Sequence, residues 1–183
     1  MSREERTGPT RPHRPEDDMI ACVDVDYRGD GAVAACVLLR DWPDAQSAAE
    51  HVHPVDRVEP YQPGQFYKRE MPCLLAVLKD VTEPLKVIVV DGYVWLADES
   101  TPGLGAHLYE ALGKAIPVVG VAKTRFASAR AARPVLRGDS QRPLFVTAAG
   151  MDVEAAVEHV RAMHGEFRIP TLLRRVDCLC RSS

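Results

Sequence analysis

The chain has 183 residues, which suits one domain with a sizeable core, and its 46% hydrophobic content is ordinary for a globular protein. A net charge of −3 argues against generic polyanion binding by bulk charge. No apolar run is long enough to span a membrane, and the opening MSREERTGPTRPHRPEDD lacks the apolar core of a secretory signal, so a cytoplasmic protein is expected.

Residues 1–18 are charged and Pro-rich and read as a disordered tail, which leaves 19–183 as the single domain. Residues 19–28 read as a strand, RGDG at 28–31 as a turn, and AVAACVLLRDW as the returning strand of a hairpin. Between Ala45 and Val52 a short helix and a further strand fit equally well. PYQPGQF at 60–66 is a loop punctuated by Pro and Gly. A helix is predicted over 68–80, with Met71, Leu74, Leu75 and Leu78 on one face and Pro72 in its first turn. Residues 85–90 are β-branched and read as a buried strand, and 92–102 as a loop.

GLGAHLYEALGKA is predicted as a helix with a stripe of Leu104, His107, Leu108, Ala111 and Leu112. PVVGVAK and PLFVTAA read as strands on either side of an irregular, Arg-rich segment at 124–142. Asp152 caps a helix of about 153–164, with Glu154 in its first turn and Gly165 past its end. Beyond Gly165 the chain reads as basic and irregular. No internal repeat is visible. A hairpin followed by alternating helix and strand indicates an α/β domain with a mixed central sheet.

The cysteines fit a reducing compartment. Cys22, Cys36 and Cys73 lie in apolar runs, where Cys acts as a small hydrophobe. Cys178 and Cys180 have no partner pair at zinc spacing. Charge is uneven along the chain. From Gly120 onward there are 11 basic and 6 acidic residues, against 12 basic and 20 acidic before it. A basic C-terminal third can track phosphates beside an acidic centre, although an ordinary solvated surface has the same composition.

Three acids stand where an acid is hard to explain structurally. Asp24 lies in the apolar run MIACVDVDY, Asp91 closes the buried strand LKVIVVDG, and Glu70 opens the amphipathic stretch KREMPCLLAVLKD. Burying even a neutral polar group unpaired costs about 2–7 kcal/mol. A divalent cation shared between acids offsets such a cost, and magnesium prefers oxygen donors. The triplet thus points to magnesium-dependent phosphodiester cutting. Asp26 competes with Asp24, since i and i+2 on a strand share a face, and local sequence leaves both open.

Ordered motifs bear on that choice. DVDY at 24–27, PYQPG at 60–64 followed by Arg69-Glu70, VVDG at 89–92 and GVAK at 120–123 resemble the motifs of the endonuclease V family, in the same order. PLFVTAAGMDVEAAVEHV is similar to the family's PLYVSPGH…DAL segment, and RIPTLLRRVD at 168–177 to its RLPEPTRLAD. The resemblance covers residues 19–177 and favours Asp24 over Asp26. It implies a ribonuclease H-like fold: a mixed central sheet flanked by helices. It implies cutting of nucleic acid near inosine (deaminated adenine), at the second phosphodiester on the 3′ side, in DNA or RNA, and a monomer is expected.

By motif position, the resemblance makes Asp24, Glu70 and Asp91 ligands of Mg²⁺, with Mn²⁺ as a substitute. Tyr61, with Pro60, Gln62 and Pro63, becomes a wedge that separates strands, a task suited to an aromatic ring. Gly64, Gly92 and Gly120 become close-approach positions for a flipped base. Lys123 becomes the group that stabilises charge on the reacting phosphate or positions the attacking water.

The departures are as specific. The family continues VVDG with HG-[hydrophobic]-AHPRRFG, whereas this chain has VVDGYVWLADESTPGLG. With one extra residue near Trp95, Asp98 falls at the family's histidine, and ESTP replaces the basic step. Asp98 is an oxygen donor suited to a hard cation, but it cannot supply a proton at neutral pH as histidine can. Gln62 replaces an apolar wedge residue. Asp177 keeps the acid of the last motif and is a candidate for a second metal. Two other readings remain: a nuclease of this fold with a different substrate, and a non-catalytic nucleic-acid-binding homologue.

Overall fold

The computed structural model describes residues 17–98 and 100–183. The expected tail lies outside the described residues except for its last two positions. The chain forms β1 (Met19–Arg28), β2 (Gly31–Leu39), β3 (Ala49–Val55), α1 (Phe66–Lys79), β4 (Leu85–Asp91), α2 (Leu104–Ala111), β5 (Val118–Ala122), β6 (Arg133–Val135), β7 (Leu144–Ala149), α3 (Val153–Ala162) and α4 (Thr171–Ser182).

One seven-stranded sheet runs in the order β3-β2-β1-β4-β5-β7-β6. β1–β2 and β2–β3 are antiparallel, β1–β4 and β4–β5 parallel, and β7 pairs antiparallel with β5 and β6. The parallel centre needs cover on both faces and has it. α1 and α2 pack on one face, α3 and α4 on the other. Strand alternation divides the core accordingly. Ile20, Cys22, Val87, Val89, Val119 and Val121 point to the α3/α4 side, and Ala21, Val23, Ile88, Val90 and Val118 to the α1/α2 side. All five cysteines are free, with only Cys178 exposed. Among the described residues no helix is long and apolar enough to cross a membrane.

Several expectations change. The open choice over 45–52 resolves to edge strand β3, beginning at Ala49. The Arg-rich segment contains short edge strand β6, where Pro134 costs no central ladder bond. The stretch beyond Gly165, expected to be irregular, becomes α4, which buries Leu172, Val176, Leu179 and Cys180 at helical spacing. Its basic neighbours hide that stripe from a reading by mean polarity. α1 starts earlier than predicted, at Phe66, so Pro72 sits inside the helix rather than in its first turn. The ring faces solvent, where the freed carbonyl of Lys68 can bond water. Asp152 does cap α3, accepting from the Ala155 amide at 2.9 Å.

Candidate active site

Register brings the acids together. β1 and β4 run parallel with Val23 opposite Val90, so Asp24 and Asp91 follow side by side. β4 and β5 pair Asp91 with Val121, and Lys123 lies two residues further on the same face. These three side chains share the face covered by α4, which carries Asp177.

Glu70 arrives from the other layer. The deeply buried stripe of α1 is Glu70, Cys73, Leu74 and Val77, spaced i, i+3, i+4, i+7. A carboxylate therefore takes the first position of an apolar stripe. Met71, Leu75 and Leu78, expected to lead that stripe, are only partly buried. Glu70 is 5% exposed, and its Oε2 has no hydrogen-bond partner among the described residues.

A cleft of about 420 Å³ collects Asp24, Asp26, Glu70, Asp91, Lys123 and Asp177. The electrostatics are those of crowded carboxylates. Burial, and after it the charges of Asp24 and Asp91, push Glu70 up to about 8. Burial pushes Asp24 up to about 6, against the Val25 amide that donates to its Oδ1 at 2.9 Å and with the help of Asp91. Lys123 Nζ lies 2.5 Å from Asp91 Oδ2. Burial opposes its charge, but the bond to Asp91 and the fields of Asp91, Asp24 and Asp177 hold it above the ordinary lysine range.

Hard oxygen donors and an orphaned, buried Glu70 oxygen suit a divalent cation. Among the described residues, however, no three carboxylate, imidazole or thiolate side chains close on one point at ligand distance. Lys123 instead neutralises part of the acid cluster. Asp177 borders the cleft with its Oδ1 held by Arg181 Nε at 3.0 Å. Asp98 stands apart: it is exposed, outside the cleft lining, and its carboxylate accepts from the amide and hydroxyl of Ser100.

The wedge candidates Pro60, Tyr61, Gln62 and Pro63 are all exposed between β3 and α1, with Tyr61 at 60%. Gly64 has φ +77 and Gly92 φ +139, a region that glycine alone enters easily. Gly120 has a different reason for being glycine. A Cβ there would stand 2.6 Å from the Gly92 carbonyl and 2.8 Å from both the Val94 amide and Thr147 Oγ1. It lies buried under the 92–94 backbone. Thr147, overlooked in the sequence, accepts from the Val94 amide at 2.8 Å and so fixes the chain just after Asp91. The signal was a lone hydroxyl in PLFVTAA.

Tyr27 and Phe66, not singled out in the sequence, line the cleft, and Arg69 packs behind them. Phe66 is 45% exposed at its rim and packs edge-on to Tyr27 at 6.0 Å. Arg69 stacks over the Tyr27 ring at 4.1 Å. Tyr27 and Arg69 each stand next to a motif acid along the chain (DVDY and RE), which was the available clue.

A mixed sheet between helices, with an acid on each of two adjacent parallel strands, defines a ribonuclease H-like domain. The family model for endonuclease V matches residues 6–145. The endonuclease V of Streptomyces avermitilis is 33% identical over 91% of this chain and 81% of its own length. Its crystal structure has a TM-score of 0.73, covering 92% of this chain and 82% of that one. Human endonuclease V is 25% identical, with a TM-score of 0.73 and coverage of 92% and 84%. A Ciona intestinalis endonuclease V, solved with a 23-mer DNA containing an inosine followed by a ribo-adenosine, shares the fold at a TM-score of 0.76 and 18% identity, covering 90% of this chain and 84% of that one. The chain belongs to the endonuclease V family.

Proposed function

We propose that this protein is a metal-dependent endonuclease that hydrolyses a phosphodiester bond 3′ to inosine in DNA or RNA. The observation that carries the reading is the convergence of Asp24, Glu70, Asp91 and Lys123 on one cleft. Family membership and the inosine-containing DNA bound by the Ciona relative support the substrate class.

Asp24, Glu70 and Asp91 are the residues that would hold Mg²⁺, with Mn²⁺ as a substitute and Asp177 at the edge of the set. Once bound, the ion supplies Lewis-acid polarisation of the phosphate and an acidified water. Burial keeps Glu70 largely protonated near neutral pH and raises the cost of ionising Asp24, until a cation takes the proton's place. Lys123 supplies a mobile positive charge: released from Asp91, its ammonium can turn to the charge that grows on the phosphate. Tyr61, on its exposed loop, offers a ring to an unstacked base.

The test uses purified protein, Mg²⁺ and end-labelled strands with and without inosine. The expected result is cleavage of the inosine strand alone, abolished by chelator and by Asp24→Ala. Cleavage of neither strand, beside an active endonuclease V control, rejects the reading. A second reading, a nuclease with another substrate, is favoured by the 92–102 loop, which lacks the family's paired arginines. A substrate panel showing strict inosine dependence excludes it.

A further inference from the structure

A second, larger cleft opens beside the acid site. It encloses about 830 Å³ and shares Lys123 and Asp177 with the acid cleft. Its walls add Phe167, Arg168, Arg174 and the half-buried Ile169 and Leu173. Asp139 and Glu166 also border it. Phe167 is 61% exposed, the most exposed of the large hydrophobic side chains described. An exposed phenylalanine has no structural merit of its own, because leaving it in water forfeits the burial that stabilises a fold.

The loop that displays Phe167 is nevertheless built rigidly. Arg137 is 6% exposed, and its guanidinium is spent wholly on that loop. It donates to the carbonyls of Met163, Gly165 at 3.1 Å and Phe167 at 3.2 Å. From behind, Arg168 donates to the carbonyl of Lys123 and, at 2.9 Å, to that of Pro143. Gly138 completes the support: a Cβ there would lie 2.0 Å from the Glu166 carbonyl. Burying a guanidinium is costly, and here the expense holds an exposed ring in one place. Arg174, one helical turn before Asp177, is exposed and has no carboxylate partner among the described residues.

We infer that this cleft binds an unpaired stretch of the substrate strand beside the scissile bond. Phe167 stacks on a base, and Arg174 neutralises an adjacent phosphate. Three observations favour this occupant. The cleft continues into the acid site through Lys123 and Asp177. A rigid exposed ring flanked by guanidinium groups is the arrangement that holds single strands without reading sequence. The C-terminal third that forms it carries the chain's basic excess. The inference rests on the nuclease reading for the identity of its ligand.

The test measures binding, so that it does not depend on cutting. A fluorescein-labelled single strand is titrated with full-length protein in chelator, followed by anisotropy. Phe167→Ala should weaken binding by about 5- to 100-fold. Arg174→Ala should weaken it and lower the slope of log K against log salt by about 1. Phe167→Trp should bind like wild type and show quenched tryptophan emission at saturation, above the background of Trp42 and Trp95. Melting curves confirm folding, and Lys79→Ala, at the exposed end of α1 on the opposite face of the sheet, controls for loss of bulk charge. Unchanged affinity in Phe167→Ala, or unquenched emission in Phe167→Trp at saturation, overturns the proposal. If the protein binds through Phe167 yet cuts nothing with Mg²⁺, the nuclease reading falls and the cleft assignment stands.

Discussion

Nζ of Lys123 stands 2.5 Å from Oδ2 of Asp91, across two neighbouring parallel strands. The ammonium is paired with one of the carboxylates that would hold the proposed cation. Lys123 neutralises part of the acid cluster, and in the proposed reaction it would also have to meet the phosphate.

That relationship predicts opposite effects on binding and on chemistry. Lys123→Ala should tighten Mn²⁺ binding to the free protein, because a competitor for Asp91 is removed. It should also slow single-turnover cleavage by about 10²–10³-fold, the usual cost of deleting one preorganised charge from a reacting centre. Calorimetry and quench-flow measure the two arms separately. Weaker Mn²⁺ binding in the variant would show that the lysine organises the acids rather than competing with the ion.

Two buried carboxylates make stability fall with pH, opposed in part by His107, whose imidazole burial holds below its ordinary range. Folding raises Asp24 from 3.8 to about 6 and Glu70 from 4.5 to about 8. Between the unfolded and folded values the native state holds protons that the unfolded chain has released, so stability falls as pH rises. In chelator, the melting temperature should decline from about pH 4.5 to pH 8, and Mg²⁺ should restore most of the loss at the alkaline end. Glu70→Gln should flatten the decline, since its amide cannot ionise. A chelator-treated protein that gains stability over that window contradicts the assignment.

Much of this site could be read from the sequence, for physical reasons. Asp24 and Asp91 interrupt β-branched runs that must be buried, and a charge there is visible from local chemistry alone. Their adjacency was not visible, because it depends on β1 pairing with β4 across the intervening hairpin, edge strand and helix. Glu70 reads as an acid at a helix start, and the apolar neighbours Met71, Leu75 and Leu78 mask the stripe of Glu70, Cys73, Leu74 and Val77 that α1 buries. α4 was missed because its four buried side chains are diluted by Arg174, Arg175 and Arg181. Its loss concealed why Asp177 reaches the cleft. Asp98 takes its candidate role only from motif position across an insertion, and its carboxylate accepts from the amide of Ser100 within its own loop.

Arg28 should prove to be the residue that seats α4. Its guanidinium donates to Asp26 Oδ2 at 3.0 Å and to the carbonyls of Cys180 at 2.8 Å, Arg181 and Ser183 at 2.5 Å. A cation at a helix C-terminus satisfies orphan carbonyls and complements the dipole. Arg28→Ala should cost about 1–2 kcal/mol, or roughly 2–4 °C of melting temperature per kcal/mol for a chain of this size. Cleavage should fall further than stability does, because α4 carries Asp177, and Arg28→Lys should recover only part of it. Equal cleavage at saturating Mg²⁺ in wild type and Arg28→Ala would show that the seat of α4 is irrelevant to the site.

Gly120→Ala offers the sharpest test of why that glycine is there. If its role were to admit a flipped base, alanine would impair substrate binding and leave the free protein intact. The structure predicts the reverse. The new methyl would meet the Gly92 carbonyl at 2.6 Å and the Val94 amide at 2.8 Å, backbone atoms that cannot swing aside as a side chain could. Thr147 Oγ1, also at 2.8 Å, holds that amide and would be pushed from it. Overpacking of this kind costs about 1–3 kcal/mol. The substrate-free protein should therefore melt several degrees lower, and cleavage should drop because the backbone following Asp91 moves. A melting temperature equal to wild type, with weakened binding alone, would return Gly120 to the substrate-contact role that motif position suggested.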